Sequence, residues 1–287
     1  FYIIKWLTDY ITEFGVDGYR ADTVKHTEEY VWEEFKTECD FAFTEFKKNN
    51  PENVLDDNDF YIVGEVYNYG VSTGQFYDFG DKKVNYFNPP SFHSLVNFEF
   101  KYNSKDMAYE ELFKHYSKVL QGDLKGFGTL NYLSSHDDGS PFDAIRKKPF
   151  ETANKLLLSP GTSQVYYGDE VARILKVEGA KGDANLRSFM NWDSIAKRPK
   201  TKEVLTHWQK LGKYRAHHPA VGAGVHQMIT AEPYYFYRSY QKGDYKDLVV
   251  VGIDVHKGPK SIDVSKMFKD GDMIRDAYSN QIVSVEK

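Results

Sequence analysis

Five short segments that we predict to be strands alternate with helical patterns along the first 200 residues of the chain. These segments are residues 16–22, which end in charged residues, 60–64, 96–100, 129–133 and 164–167. The helical patterns are residues 3–14, 27–46, 106–120, 150–158 and 202–215. Strands that alternate with helices are typical of βαβ units, so this part of the chain is predicted to be an α/β fold with a parallel sheet.

A different pattern begins near residue 219. Two β-rich segments, 234–237 and 248–251, flank the turn sequence at 242–244, Lys-Gly-Asp, which predicts a β-hairpin. No long helical pattern follows the hairpin. The predicted domains are therefore the α/β domain, residues 1–218, and a small antiparallel β-sandwich domain, residues 219–287.

Composition and charge exclude several classes of partner. The chain has 37 Lys and Arg against 42 Asp and Glu, a net charge of −5, so it has no overall field to attract nucleic acid or an anionic membrane. Its longest apolar runs, such as 248–253, are too short to span a bilayer. The single cysteine, Cys39, excludes an intramolecular disulfide and a cysteine-based zinc cluster. Aromatic residues make up 16% of the chain, a surplus that suits stacking on sugar rings.

Three of the predicted parallel strands lead into carboxylates: Asp22, Glu65 and Asp137. In a parallel barrel the C-terminal ends of all strands meet at one face, so these side chains are predicted to converge. Glycoside hydrolysis needs such a set, with one carboxylate as nucleophile and another as proton donor. Arg20, two residues before Asp22, is on the same strand face and favours its ionised form. For any one of the carboxylates, capping of the following helix remains an alternative.

The surroundings of these carboxylates resemble the motifs of the α-amylase family, glycoside hydrolase family 13. Residues 18–26, Gly-Tyr-Arg-Ala-Asp-Thr-Val-Lys-His, resemble the fourth-strand motif of the family. Similar segments are found for its fifth strand (63–66), its seventh strand (134–137) and the stretch after its eighth strand (166–170). Order and spacing agree over nearly the whole chain. The resemblance implies a partial TIM (β/α)8 barrel, strands four to eight, followed by the C-terminal β domain of the family.

The resemblance also implies a role for each site residue. Asp22 would be the nucleophile, Glu65 the general acid and then the base, and Asp137 the residue that binds sugar hydroxyls and stabilises the oxocarbenium-like transition state. The implied substrate contacts are Arg20, Lys25, His26 and His136. Tyr67, close after Glu65, either stacks on a glucose ring or walls the cleft. The family often binds calcium through the backbone carbonyl at the position of His26, so a structural calcium ion is the expected cofactor.

Together these roles imply a retaining hydrolase of α-1,4-glucosidic bonds in starch, glycogen or malto-oligosaccharides. The alternatives within the family are a transglycosylase, a branched-glucan hydrolase, and a non-catalytic glucan-binding or scaffold relative, which the presence of all three carboxylates disfavours. A barrel enzyme whose carboxylates bind a metal is a further alternative. We expect a monomeric full-length protein. The N-terminal residues carry no targeting signal, but the resemblance implies an extracellular or periplasmic location.

The chain departs from the family pattern in two places. Ser135 stands where the family usually has Asn before the His-Asp pair, and because serine keeps a hydroxyl we expect a local difference without loss of activity. The third-strand motif and the first three strands are absent, which predicts a C-terminal piece of a longer protein, inactive without its N-terminal part. The alternative is a natural half-barrel that needs a partner to close it.

Overall fold

The computed structural model describes residues 1–88, 91–256 and 258–286, and the chain divides into two compact units. The first unit consists of Phe1–Glu99 and Gly122–Leu130, and the second of Phe100–Gln121 and Asn131–Lys287. The units do not follow the predicted border between residues 218 and 219. That border, as a division between a barrel and a β domain, stays a prediction.

The first unit is built on a parallel sheet. Its strands are β1 (Gly18–Ala21), β2 (Tyr61–Gly64), β3 (Phe76–Asp78), β4 (Lys83–Asn85), β5 (Ser94–Asn97) and β6 (Gly128–Asn131), whose last residue belongs to the second unit. Strands β1, β2, β5 and β6 are adjacent in that order, and the pairs β1–β2 and β2–β5 are parallel. Strands β3 and β4 form a separate antiparallel hairpin. Its helices are α1 (Tyr2–Phe14), α2 (Glu29–Asn49) and the 3-10 turns Val24–His26, Pro51–Asn53 and Val71–Thr73.

The end of α1 leads the chain into the sheet. Gly15 has a left-handed backbone (φ 66°), and its N–H donates to Ile11 O at 2.9 Å, which closes the helix. A Cβ at this position would collide with the ring of Phe46 on α2, so a larger residue here would force that ring to move. The chain then enters β1, which pairs in parallel with β2 up to Ala21 and Gly64. The residues that follow both strands therefore leave the sheet at the same edge.

The second unit contains the remaining helices and two antiparallel sheets. Its helices are α3 (Phe100–Asp106), α4 (Tyr109–Gln121), α5 (Pro149–Leu157), α6 (Trp192–Lys197), α7 (Pro199–His217), α8 (Pro219–Ala223) and the 3-10 turns Asp169–Val171 and Gly182–Asn185. Its strands are β7 (Thr162–Ser163), β8 (Val225–Thr230), β9 (Tyr234–Lys242), β10 (Tyr245–Ile253), β11 (Met273–Arg275) and β12 (Ile282–Ser284). Strands β8 to β10 form one sheet in the order β10-β9-β8, and β11 pairs with β12. Among the described residues, no helix has the length and apolar character needed to cross a membrane.

The predicted hairpin at 242–244 is confirmed, whereas the predicted strand at 164–167 is wrong. Lys242 pairs with Tyr245 across a two-residue turn, in which Gly243 has φ 57°. Strand β7 already ends at Ser163, before the predicted segment begins. Tyr166 and Tyr167 leave the strand direction because their hydroxyls donate to main-chain oxygens of the 186–188 segment, at 3.0 and 2.7 Å.

Candidate active site

Asp22 and Glu65 follow directly after two neighbouring parallel strands of the first unit. The register of β1 and β2 places both at the C-terminal edge of the sheet. Arg20 bridges them: Nη1 donates to Asp22 Oδ1, and Nη2 lies 3.1 Å from Glu65 Oε1. The predicted pairing of Arg20 with Asp22 is confirmed. The contact between Arg20 and Glu65 was not predicted. The alternation of side chains along one strand does not show what a residue after the neighbouring strand will contact.

The two carboxylates differ sharply in exposure. The Asp22 side chain is 65% exposed, whereas that of Glu65 is only 9% exposed. The N–H of Thr23 donates to Glu65 Oε2 at 3.1 Å. The main chain of Glu65 is held on both sides, since its N–H donates to Ala21 O and its carbonyl accepts from Val24 N, each at 2.9 Å. Glu65 is therefore fixed in orientation beside an accessible partner, an arrangement that suits one carboxylate for proton transfer and the other for attack.

Lys25 and Tyr67, both predicted substrate contacts, are in contact with each other. Lys25 Nζ donates to Tyr67 O at 3.2 Å and lies 5.2 Å from the centroid of the Tyr67 ring. The ring itself is 56% exposed and packs edge-on against Phe98. Sequence reasoning missed a third member of the group: the hydroxyl of Tyr77 on β3 lies 3.0 Å from Lys25 Nζ. No local pattern marks Tyr77, which is 52 residues from Lys25 in the chain.

His26 ends the 3-10 turn after Asp22 with its side chain exposed, and its N–H donates to Thr23 O at 3.0 Å. Its carbonyl is the predicted calcium ligand. Within the described ranges, no group of three or more His, Cys, Asp and Glu side chains is placed to hold a metal ion. Calcium binding at His26 stays a prediction, and no chemical step below depends on a metal.

His136 and Asp137 form a group of their own in the second unit. Asp137 Oδ1 accepts from Ser135 Oγ at 2.9 Å, and Asp137 Oδ2 lies 3.3 Å from His136 Nε2. The carbonyl of His136 accepts from Arg187 Nε at 2.8 Å. The hydroxyl of Ser135 therefore orients Asp137 directly, which gives a physical account of this departure from the family pattern. The convergence of Asp137 with Asp22 and Glu65 stays a prediction, because these residues belong to different units.

Two nearby carboxylates of the second unit are structural. Asp138 is half-buried and pairs with Lys101, and Tyr132 donates to it at 2.7 Å. Burial opposes ionisation, but the hydrogen bonds from Lys101 and Tyr132 outweigh it and lower the pKa of Asp138. Asp169 is fully buried and accepts from Arg146 Nη2 at 2.5 Å. The carboxylates of Asp138 and Asp169 are both engaged in ion pairs with neighbouring cations. Asp137 is therefore the carboxylate of this segment that is accessible to a ligand.

The comparisons with known proteins agree with these motifs. The family described as alpha amylase, catalytic domain, matches residues 2–197. The periplasmic alpha-amylase of Escherichia coli (strain K12) is 35% identical over 259 residues, which cover 87% of this chain and 34% of that protein. A cyclomaltodextrinase of a Bacillus species is 26% identical over 261 residues, covering 87% and 40%. The chain thus spans between a third and two fifths of the length of these relatives.

Solved structures give the same fold. The alpha-amylase from Geobacillus thermoleovorans, complexed with acarbose, matches with a TM-score of 0.67 and 17% identity, over 100% of this chain and 59% of that one. An Anoxybacillus alpha-amylase matches with a TM-score of 0.64 and 20% identity, over 100% and 58%. The predicted partial barrel with a following β domain is confirmed. Since the family match covers most of the residues and includes Asp22, Glu65 and Asp137, the chain belongs to the α-amylase family, glycoside hydrolase family 13.

Proposed function

We propose that the protein carrying this chain is a retaining glycoside hydrolase that cleaves α-1,4-glucosidic bonds in starch, glycogen and malto-oligosaccharides. The observation that carries the proposal is the Arg20 bridge between the exposed Asp22 and the buried Glu65. The substrate class is supported by the relatives, which are named an alpha-amylase and a cyclomaltodextrinase. It is further supported by structural neighbours solved in complex with maltose and with acarbose.

In the first half of the reaction, Asp22 attacks the anomeric carbon. Glu65 gives its proton to the leaving glycosidic oxygen, so that the C–O bond breaks while an ester forms between the sugar and Asp22. Arg20 contacts both carboxylates and keeps them in place as the charge of Asp22 is consumed. Glu65, now a carboxylate, then removes a proton from water, and the oxygen of that water attacks the anomeric carbon and releases Asp22. Two inversions retain the anomeric configuration.

Asp137 and His136 bind the glucosyl unit that reacts. The Asp137 carboxylate accepts hydrogen bonds from sugar hydroxyls and opposes the positive charge that develops on the sugar ring in the transition state. Ser135 and Arg187 orient this pair through hydrogen bonds. Ser135 Oγ donates to Asp137 Oδ1, and Arg187 Nε donates to the carbonyl of His136. In a transglycosylase the same residues serve, and a sugar hydroxyl replaces water as the acceptor.

The name of one relative bears on the location of the protein. The Escherichia coli relative is named a periplasmic alpha-amylase. We therefore propose a periplasmic or extracellular location. A monomeric state and a calcium ion at the His26 carbonyl rest on the family resemblance alone.

Replacing the two carboxylates tests the proposal in the protein that carries this chain. We expect Asp22→Asn and Glu65→Gln each to lower kcat for maltoheptaose by about 10³-fold or more, because each removes a group that acts only in the transition state. The measurement is the release of reducing ends. Asp193→Asn is the matched control: its side chain is 89% exposed and pairs with Lys197 on α6, so the rate should stay unchanged.

Azide identifies the nucleophile directly. In an Asp22→Gly variant, azide can enter from the face that the carboxylate has vacated and give a glycosyl azide of inverted configuration. Unchanged hydrolysis by Asp22→Asn would show that the nucleophile is another residue. If the unmodified protein binds maltoheptaose without cleaving it, the non-catalytic binding alternative replaces the proposal.

A further inference from the structure

The short hairpin of β3 and β4 places Tyr77 against Lys25. Lys25 Nζ lies 3.0 Å from the Tyr77 hydroxyl and 3.2 Å from Tyr67 O. The same atom lies 5.2 Å from the ring centroids of both Tyr67 and Tyr77. The ammonium group is thus held by two hydrogen bonds, one of them to the Tyr77 hydroxyl, and it lies beside the ring of Tyr67, which attracts a cation through its face.

Within the part of the chain that the structure describes, no carboxylate lies within ion-pair distance of Lys25. An ammonium has three N–H donors, and two are used here, so one donor remains for an oxygen atom of a ligand. Because the charge faces the Tyr67 ring and a tyrosine hydroxyl, the site suits a neutral hydroxyl-bearing ligand whose apolar face can lie on an exposed ring. A glucosyl unit has both features.

The hairpin is fixed to the rest of the first unit at its tip and near its base. At the tip, Lys82 Nζ lies 2.8 Å from Glu29 Oε1 on α2. The ring of Phe79 packs edge-on against Tyr77 with centroids 4.9 Å apart. Near the base, Gln75 Nε2 donates to Asp123 O at 2.9 Å. These contacts leave little freedom to the Tyr77 ring, so its hydroxyl is a preorganised partner for Lys25.

We propose that Tyr77 is a positioning residue that fixes the ammonium of Lys25 for contact with a glucosyl unit of the substrate. This inference rests on the proposed function and names a determinant of its substrate preference. Tyr67, the exposed ring beside Lys25, provides the stacking surface. The hairpin β3–β4 thereby contributes to how tightly the protein holds a glucan chain.

Chemical labelling of Lys25 tests the inference without relying on turnover. The Asp22→Asn variant of the protein carrying this chain is treated with acetic anhydride, and acetylation of Lys25 is measured by mass spectrometry with and without maltoheptaose. We expect the sugar to slow acetylation of Lys25 by about fivefold or more at a saturating concentration. Adding Tyr77→Phe, which removes only the hydroxyl that holds Lys25, should remove most of this protection, and Tyr77→Leu, which also removes the ring, should remove at least as much. Lys197, which is 73% exposed, serves as the reference lysine.

Kinetics on the active protein gives the second readout. We expect Tyr77→Leu to raise KM for maltoheptaose by about tenfold, because a hydrogen bond to a charged group and a ring contact are lost, with a smaller change in kcat. The same substitution at Tyr245 on β10, an exposed tyrosine of the second unit, is the control. Equal effects of Tyr77→Leu and Tyr245→Leu, or a loss of kcat that follows a lowered melting temperature, would overturn the inference.

The two hypotheses fail in distinguishable ways. If maltoheptaose gives Lys25 no protection, the inference is wrong even when the protein hydrolyses glucans. If protection depends on Tyr77 while no hydrolysis of α-1,4-glucans occurs, the subsite is right and the proposed reaction is wrong.

Discussion

Thr23 lies between the two proposed catalytic carboxylates with a left-handed backbone, φ 48° and ψ 40°. For a β-branched residue this conformation is a true outlier and costs about 1–2 kcal/mol. In this conformation the Thr23 N–H donates a hydrogen bond to Glu65 Oε2, and the Thr23 carbonyl accepts one from the N–H of His26. The strain is therefore located where it orients the proposed general acid.

Asparagine tolerates this backbone better than threonine does. We expect Thr23→Asn to raise the free energy of unfolding by about 1 kcal/mol, because asparagine adopts the left-handed region at lower cost and keeps the same N–H. The measurement is the urea midpoint of unfolding. Thr27→Asn is the matched control, since Thr27 is extended (φ −122°, ψ 141°), where threonine is the better residue. An equal gain at both positions would attribute the effect to the side chain instead of the backbone.

The residues of the site could be predicted only where a local period or a motif marks them. The alternation along a strand placed Arg20 beside Asp22, and the parallel order of β1 and β2 placed Glu65 at the same edge. Tyr77 had no such mark: β3 has three residues, too few to establish a period, and its partner Lys25 is 52 residues away. The conformation of Thr23 is equally invisible, because tertiary contacts impose it against the preference of the residue.

At the scale of elements, α4 is joined to the β8–β9 pair by a buried charged network. His226 Nε2 on β8 lies 2.8 Å from Glu110 Oε2 on α4, and Arg238 Nε on β9 donates to His226 Nδ1 at 3.2 Å. The Tyr234 hydroxyl also donates to Glu110 at 3.0 Å. Burial lowers the pKa of His226, and the Arg238 cation acts in the same direction. A second proton on the imidazole would have to displace the hydrogen bond from Arg238.

This network predicts acid lability of the second unit. Because the folded pKa of His226 is lowered, the unfolded chain binds a proton below about pH 6.5 that the folded chain does not. The free energy of unfolding should therefore fall as the pH falls from about 7.5 to about 5.5, with up to about 1 kcal/mol due to His226. His226→Gln cannot take up a proton, so its urea midpoint should vary less over this range, although it is lower at neutral pH.

Exposed histidines provide the comparison. His256 is exposed on the second unit, and His256→Gln should leave the pH dependence as it is in the unmodified protein. A pH dependence that His256→Gln flattens as much as His226→Gln does would rule out the buried network as its source.

Secondary elements with a long or strict pattern were predicted better than short ones. The β9–β10 hairpin has nine residues in each strand and a glycine turn, and its position was predicted correctly. Strand β7 has two residues, and the apolar run after it was mistaken for the strand, because tyrosines that donate hydrogen bonds to a distant loop look like strand residues in sequence. The hairpin of β3 and β4 was not predicted at all, because each strand has only three residues and so shows no clear alternation.

For the molecule as a whole, the first unit has an edge strand and a helix with an exposed apolar face, among the described residues. Within the described residues β1 is an edge strand, paired only with β2. Helix α1 buries Ile11, but its other face exposes large apolar side chains: Ile3 (67%), Trp6 (62%), Tyr10 (55%) and Phe14 (68%). These residues recur every three or four positions and form one stripe. A contiguous stripe of this kind differs from scattered exposed apolar residues, which are normal on a protein surface.

The stripe predicts that the 287-residue chain, produced alone, self-associates. Burying two such stripes against each other removes apolar surface from water, and the free edge of β1 offers further pairing groups. We expect the average mass measured by light scattering to rise with protein concentration, and the double replacement Trp6→Lys with Tyr10→Lys to suppress this rise. Phe189→Lys is the control, because Phe189 is 98% exposed but lies outside the stripe. A concentration-independent monomer mass for the unmodified chain, or equal suppression by Phe189→Lys, would refute the assignment of association to α1.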